Sequence, residues 1–311
     1  MELKVLENLR PEEYEHPFDR QALNALERTT GLDTLVQKIY EYGLEKVMRV
    51  QLTGSCFKVT PSSIPEVYEL LEQTCAALNL SAVPGLYLRR GGNVLSDTCG
   101  VDRPIVLLST EAVQHLGPAE LTFILGREIG HIKSAHVKYL DIGFILPVLS
   151  DILDAVTLGT GGLLSTGLRM ALLHWIRMAE FTADRAGLLA CQDVLAATSV
   201  LAKISGLPEK YYADYNLDDF VTQAREFKGF DTGNYNKFLK YATLTLGADQ
   251  TWTISRANEF YQWIDAGGYQ EVLERKNMRV PAVPGGAAFC TQCGNKLTVG
   301  AAFCTKCGKK V

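Results

Sequence analysis

The sequence lacks an excess of charge of either sign: 31 Lys and Arg residues stand against 35 Asp and Glu. Nothing in this balance favours a nucleic acid or an anionic membrane as the main partner. The sequence also lacks an amino-terminal apolar segment followed by small residues, because "MELKVLENLRPEEYEHPFDR" is charged throughout. We therefore expect no signal peptide and a cytoplasmic location.

Long uncharged apolar runs are missing as well. The most apolar region, 142–168, is divided by Asp151 and Asp154. The runs on either side fall short of the about 20 residues that a membrane-spanning helix needs. We predict a buried or lid-like helical hairpin here and no full transmembrane helix, with peripheral contact to a membrane surface as the alternative.

Cysteine is concentrated at the C-terminal end. "AAFCTQCGNKL" returns as "AAFCTKCGKKV", which gives two C-x-x-C-G turns at Cys290, Cys293, Cys304 and Cys307. Four thiolates at this spacing are typical of a closed tetrahedral structural zinc site. So short a segment cannot fold by apolar burial alone, so zinc would supply its folding energy. The repeat resembles the short zinc ribbons found at the termini of bacterial proteins, which favours adaptor or oligomer contacts over catalysis.

The remaining pattern predicts an α+β fold, mostly helical with a small β-sheet. Apolar residues recur at helical spacing from 20 to 43, and the chain after 109 looks helical to about Lys276. Strand-like runs occur at 47–60, 85–90, 93–98 and 104–109. Composition divides the chain into a domain at 1–275, a Pro- and Gly-rich linker at 276–286 and the ribbon at 287–311.

A predicted helix at 119–140 carries "GREIGHIKSAH". It has the form of the zinc-peptidase motif H-E-x-x-H, in which two histidines four residues apart share a helix face and bind one zinc. Here the first position is Arg127, followed by Glu128 and His131. A second predicted helix, 168–192, places Glu180 and Asp184 four apart on one face.

These two motifs, "REIGHIKSAH" and "AEFTADRAG", resemble the gluzincin-type metallopeptidase family that contains HtpX and the CAAX prenyl proteases. The resemblance extends from about Pro17 to Gln270 and implies a zincin-like domain. It implies that His131 and Glu180 are metal ligands and that Glu128 is the general base. Asp184 would be a nearby carboxylate that steadies the site without binding metal. The run "NVLSDTCG" corresponds to an edge strand, with Asn93, Val94 and Leu95 pairing with substrate.

The sequence departs from this family at two points. Arg127 cannot bind zinc, because a guanidinium stays protonated and has no lone pair. The family's histidine after the catalytic helices is also missing, although Arg256 is present as a weak catalytic candidate. Of the other histidines, we expect His136 to be rotated by roughly 140° from His131 on the same helix. His16, His115, His136 and His174 are all interpreted as surface or core residues.

We hypothesise that Arg127 takes the place of the metal cation and pairs with Glu180 and Asp184, because a guanidinium binds carboxylates in a strong, oriented way. Three functions follow. The first is a non-catalytic peptidase homologue that binds a polypeptide or protein partner in its cleft. The second is an active zinc metalloendopeptidase, and the third is a zinc-ribbon adaptor. Zinc is expected in the ribbon, whereas a catalytic zinc is doubtful.

Overall fold

A computed structural model describes residues 3–28, 32–41, 43–91, 95–143, 145, 162–227 and 252–274. The chain divides into two compact units, Met1–Leu273 and Glu274–Val311. The described residues belong to the first unit, apart from Glu274. The linker and the ribbon cysteines predicted from the sequence lie outside the described residues.

The first unit is mostly helical with a small sheet, which confirms the predicted fold class. Its helices are α1 (Pro17–Glu27), α2 (Leu32–Glu41), α3 (Leu44–Ser55), α4 (Pro65–Ala77), α5 (Thr110–His115), α6 (Pro118–Lys133), α7 (137–143), α8 (Gly162–Cys191), α9 (Val194–Ile204), α10 (Leu217–Glu226), α11 (Thr253–Asp265) and α12 (Gly268–Glu274). Helix α6 carries the altered motif, and α8 carries the two carboxylates predicted to face it.

The sheet has four strands, β1 (Phe57–Val59), β2 (Gly85–Arg89), β3 (Ser96–Cys99) and β4 (Ile105–Ser109), in the order β1-β2-β4-β3. Strands β2 and β4 are parallel, and the other two pairs are antiparallel. Strand β3 therefore lies at one edge of the sheet.

The two faces of the sheet contact different helices, because successive side chains of a strand point to opposite faces. Leu86, Val106 and Leu108 belong to the main core together with residues of α4 and α6. On the other face, Leu107 and its neighbours pack against Met48 and Leu52 of α3. The edge strand β3 thus lies between α6 on one face and α3 on the other.

Helices α6 and α8 approach closely because small residues face each other. A Cβ atom added at Gly126 would lie 2.4 Å from the Ala190 Cβ, and one added at Gly130 would lie 2.4 Å from the Ala186 Cβ. This close approach carries the polar residues of the α6 motif directly onto the carboxylates of α8.

The predicted strand at 47–60 is wrong for most of its length. Residues up to Ser55 form α3, and only Phe57–Val59 is a strand. The apparent alternation is the series Met48, Val50 and Leu52, but the Val50 side chain is 72% exposed. Leu44, Met48 and Leu52 form the real apolar stripe, and their spacing of four is helical.

Two predicted helices are interrupted. The run at 20–43 contains the separate helices α1 and α2. The helix predicted at 119–140 ends at Lys133, and the chain turns at Ala135, which has φ 57°. Helix α7 starts after this turn, so the geometry expected for a continuous helix does not apply beyond Lys133.

Among the described helices, none combines the length and the apolar content required to cross a membrane. Most of the hairpin predicted at 142–168 falls outside the described residues, and its last residues, from Gly162, belong to α8.

Candidate functional site

The cleft between α6, α8 and the edge strand β3 brings together the residues singled out by the two motifs. Arg127, Glu128 and His131 lie on α6 and are all buried, with exposures of 7%, 3% and 3%. Glu180 and Asp184 are one turn apart on α8. The structure therefore brings the residues of the two motifs together in one cleft.

Arg127 forms ion pairs with both carboxylates of α8. Its Nε donates to Asp184 Oδ1 at 2.9 Å, and its Nη2 donates to Glu180 Oε2. Arg256, from α11, also binds Asp184, with Nε 2.8 Å from Oδ2 and Nη2 2.6 Å from Oδ1. Its Nη1 lies 3.4 Å from Glu180 Oε2. Two guanidinium groups and two carboxylates thus form one buried cluster that joins three helices.

The opposite charges favour the ionised forms of Glu180 and Arg127. Burial alone would raise the pKa of Glu180, but the cations of Arg127 and Arg256 outweigh it and hold that pKa well below its usual range. Burial would likewise lower the pKa of Arg127, and Glu180 and Asp184 reverse this effect and raise it. The contacts are therefore charge-assisted hydrogen bonds.

The residues present do not fit a catalytic zinc. Such a site uses three protein ligands and keeps one open position. Of the expected donors only His131 and Glu180 remain, and one Glu180 oxygen already accepts from Arg127. Throughout the described part of the chain, no group of three or more His, Cys, Asp or Glu side chains is arranged to hold a metal ion. The arrangement instead places a protein cation against the carboxylates.

Glu128, the expected general base, lies in the same cleft. Burial raises its pKa, although His131 and Arg127 act in the opposite direction. Its Oε1 accepts a hydrogen bond from Ser96 Oγ of the edge strand at 2.6 Å. The carboxyl group is therefore held between α6 and β3 and retains its proton to higher pH than a solvated glutamate.

The prediction that His136 faces away from His131 is wrong. Their Nδ1 atoms are 3.1 Å apart, because the left-handed turn at Ala135 folds the chain back after α6. His136 Nε2 lies 3.2 Å from Asp19 Oδ2 of α1. Burial acts to raise the pKa of Asp19, but His136 and Thr182 outweigh it and lower that pKa. On its other side, His131 Nε2 lies 3.5 Å from Glu180 Oε1. A buried polar chain thus connects the cleft to the N-terminal helix.

A cavity of about 430 Å³ opens at these residues. Its wall comes from α3, from β2, β3 and β4, from α6 to α9, and from Arg256 of α11. Apolar side chains cover much of it, namely Met48, Leu52, Leu95, Leu107, Ile124, Leu140, Leu173, Ile176 and Ile204. The polar groups are grouped mainly along α6, α8 and the edge strand. Apolar walls with few convergent polar groups are typical of a ligand-binding cleft.

The predicted substrate strand lies partly within the described residues. Leu95 lines the cavity, and its carbonyl accepts from Ser109 N at 2.8 Å, which extends the pairing of β3 with β4. Asn93 and Val94 are outside the described residues. Cys290, Cys293, Cys304 and Cys307, predicted to bind the structural zinc, are also outside them.

Sequence reasoning missed three polar residues of this site: Ser96, His136 and Asp19. Ser96 was read only as part of a strand. The end of α6 is not signalled by the sequence, because the left-handed position after it is held by Ala135, a strong helix former, and not by glycine or asparagine. The sequence contains no signal for the position of Asp19, because its contact with His136 joins residues far apart in the sequence.

Two family models match parts of this chain. The model of peptidase family M48 matches residues 98–264, which include all the cleft residues named from α6, α8 and α11. A zinc-ribbon domain model matches residues 289–311. No solved structure matches.

Three similar proteins are metallopeptidases or proteases by name. The plastoglobule-localized metallopeptidase 48 of Arabidopsis thaliana chloroplasts is 27% identical over 277 residues, covering 88% of this chain and 79% of that protein. The protease HtpX homolog 2 of Methanosarcina acetivorans is 22% identical and covers 49% of this chain and 59% of that protein. Its counterpart in Methanosarcina mazei is 23% identical and covers 50% and 60%. The chain belongs to the metallopeptidase family M48 and carries a zinc-ribbon domain near its C-terminal end.

Proposed function

We propose that this chain is a polypeptide-binding member of family M48 in which Arg127 replaces the catalytic zinc, so that metal-dependent peptide hydrolysis is lost or strongly weakened. The observation that carries this proposal is the binding of one Arg127 guanidinium to both Glu180 and Asp184. A permanent cation there satisfies the carboxylates electrostatically without offering a coordination position.

Loss of the metal removes the usual source of the nucleophile. In metallopeptidases the bound ion lowers the pKa of a water molecule, and a carboxylate then takes its proton. Burial also raises the pKa of Glu128, so that its carboxyl group becomes available as a base only at a higher pH than that of a solvated glutamate.

Polypeptide binding is supported by the edge of the sheet that lies beside the cavity. An extended peptide that pairs with an edge strand gains main-chain hydrogen bonds, while pockets next to the strand select its side chains. Strand β3 occupies such an edge, and its residues line the cavity. The partner is therefore proposed to be an extended segment of a protein.

The zinc content of the full chain tests the proposal. We expect the wild type to bind one zinc, held by the four ribbon cysteines, and Arg127→His to bind a second one. The double variant Cys290→Ser/Cys293→Ser should lose the ribbon zinc and contain none. A second stoichiometric zinc in the wild type would contradict the replacement by Arg127.

An active zinc endopeptidase is the second candidate, and the position of Glu128 favours it. The carboxyl group remains in the cavity beside His131, in the place the base occupies by family resemblance. If this candidate is correct, hydrolysis of an unfolded protein such as casein should disappear in Glu128→Gln. Under the proposal, the wild type itself should hydrolyse casein only very weakly or not at all.

The proposal also includes a role for the ribbon and a cellular location for the chain. We infer that the ribbon carries one structural zinc and serves as a contact for a partner rather than in catalysis, since four thiolates leave no open position. The chain is proposed to act in the cytoplasm, where peripheral contact with a membrane surface through 142–168 is an additional possibility. Measuring the distribution of the tagged full chain between soluble and membrane fractions checks both statements.

A further inference from the structure

We propose that the cleft sorts the side chains of a bound extended peptide alternately between two chemically different halves, and therefore selects peptides with a large apolar residue at every second position. This inference rests on the proposed polypeptide binding along β3. It adds a preference for particular peptide side chains and assigns this preference to helix α3. Helix α3 lies outside residues 98–264, which the family M48 model matches.

The register of β3 determines which backbone groups an added strand meets. Ser109 N donates to Leu95 O, so Leu95 is in a hydrogen-bonded pair with β4. Because such pairs alternate along an antiparallel ladder, Asp97 also bonds toward β4, whereas Ser96 and Thr98 direct their N–H and C=O groups to the outer edge. In the part of the chain that is described, β4 is the strand paired with β3.

The side chains of β3 then divide between the two faces of the sheet. Ser96 points toward α6, since its hydroxyl donates to Glu128. Asp97 points to the opposite face, where its carboxylate binds Arg89 Nη2 at 2.8 Å. Cys99 shares the face of Asp97 and packs with Leu107 and residues of α3. The cavity includes residues of both faces and therefore extends around the edge strand.

The two halves of the cavity differ in chemistry. The α6 half contains the guanidinium groups of Arg127 and Arg256 with the carboxylate of Glu180, and the carboxyl group of Glu128. The α3 half has more apolar side chains, namely Met48, Leu52, Leu107, Leu140 and Ile176, and its polar groups include Gln51 and the ion pair of Asp97 with Arg89. A carboxyl group in this half, that of Asp141, already accepts from Tyr40 and from the backbone of Gly100.

A peptide paired with β3 must distribute its side chains between these halves. Directly opposite residues of neighbouring strands point to the same face, so peptide residues opposite Asp97 and Cys99 face α3. Their neighbours in the peptide face α6 and the charged cluster. Apolar side chains gain free energy by burial in the α3 half, and polar side chains find partners in the other half.

Two peptides of identical composition test this inference on the full chain. In one, leucine alternates with threonine, and in the other the same residues stand in adjacent pairs. We expect the alternating peptide to bind roughly tenfold more tightly or better, because the paired order forces leucine into the charged half. Titration calorimetry or fluorescence anisotropy measures the difference.

Leu52→Gln should remove this preference, since it places an amide in the wall of the α3 half while keeping a good helix former. Val50→Gln is the matched control on the same helix, because Val50 is 72% exposed and points away from the cavity. Met48→Gln provides a second cavity variant if Leu52→Gln folds poorly, and the unfolding midpoint of each variant shows whether it folds.

The outcomes separate the two proposals. Equal affinity for the two peptides, or a preference that persists in both cavity variants, overturns the sorting but leaves polypeptide binding intact. Absence of binding to either peptide overturns both. Preference in the wild type and in Val50→Gln, lost in the folded cavity variants, supports the inference.

Discussion

At the scale of single residues, the carboxyl groups of one cavity have opposite electrostatic surroundings. Glu180 lies between two guanidinium groups, which hold its pKa below the usual range despite burial. Burial raises the pKa of Asp141 to about 6 and the Glu45 carboxylate adds to this, although hydrogen bonds from Tyr40 and Gly100 oppose it. The two arginines therefore reverse, for Glu180, the rise in pKa that burial produces for Asp141.

This difference predicts how stability depends on pH. Between about 4 and about 6 the unfolded chain has released the Asp141 proton while the folded chain retains it, so the contribution of Asp141 to stability falls as the pH rises through this range and then stays constant. Asp141→Asn removes the titration. Relative to the wild type, we expect the variant to gain up to about 3 kcal/mol over this range.

Urea unfolding at several pH values measures this difference. Asp265→Asn is the control, because Asp265 forms an exposed ion pair with Arg225 that contributes little to stability. Its curve should run parallel to that of the wild type. If the curve of Asp141→Asn is parallel as well, the proposed titration of Asp141 is incorrect.

Single residues also show which site contacts a sequence can predict. Glu180 and Asp184 are one helical turn apart, so their common face follows from local geometry, and their pairing with Arg127 needs only the docking of two helices. His136 and Ser96 reach the cleft through a turn and a strand register. Those depend on tertiary packing, which local spacing does not encode.

At the scale of elements, periodicity predicted the helices and strands whose buried face is continuous. It failed for α3, where the exposed residue Val50 stands between Met48 and Leu52 and creates an alternation that looks like a strand. An apolar side chain in water is common on protein surfaces, so a short alternating run does not distinguish a strand from an amphipathic helix.

The docking of α6 on α8 predicts an unusual response to a glycine substitution. Alanine normally stabilises a helix relative to glycine by up to about 1 kcal/mol. At Gly130, however, the new methyl group would lie 2.4 Å from the Ala186 Cβ. We expect Gly130→Ala to destabilise the first unit by about 1–3 kcal/mol, because overpacking forces the helices apart.

Gly54→Ala in α3 is the matched control, since no atom lies within 4 Å of the added Cβ. This substitution should be neutral or slightly stabilising in thermal unfolding. A stabilising Gly130→Ala would mean that α6 and α8 are not packed as closely as described. The arginine cluster would then also lack the helix spacing on which it depends.

At the scale of the whole molecule, the two compact units are expected to depend on zinc in different ways. The ribbon sequence is too short to fold by apolar burial and needs the metal. In the first unit, the Arg127 and Arg256 cations stabilise the carboxylates of α8 instead. A ligand that binds only the folded state stabilises only the unit that binds it.

Removal of zinc is therefore expected to affect the two units differently. The three tryptophans of the chain, Trp175, Trp252 and Trp263, all belong to the first unit, so their fluorescence reports on its unfolding alone. We expect EDTA to leave the thermal midpoint of this signal unchanged and to make the four ribbon cysteines reactive toward a thiol reagent. Arg127→His supplies the contrast, since a zinc bound in its cleft should raise the midpoint by an amount that EDTA abolishes. A decrease in the wild-type midpoint on chelation would mean that the first unit itself binds zinc, and that Arg127 has not replaced the metal.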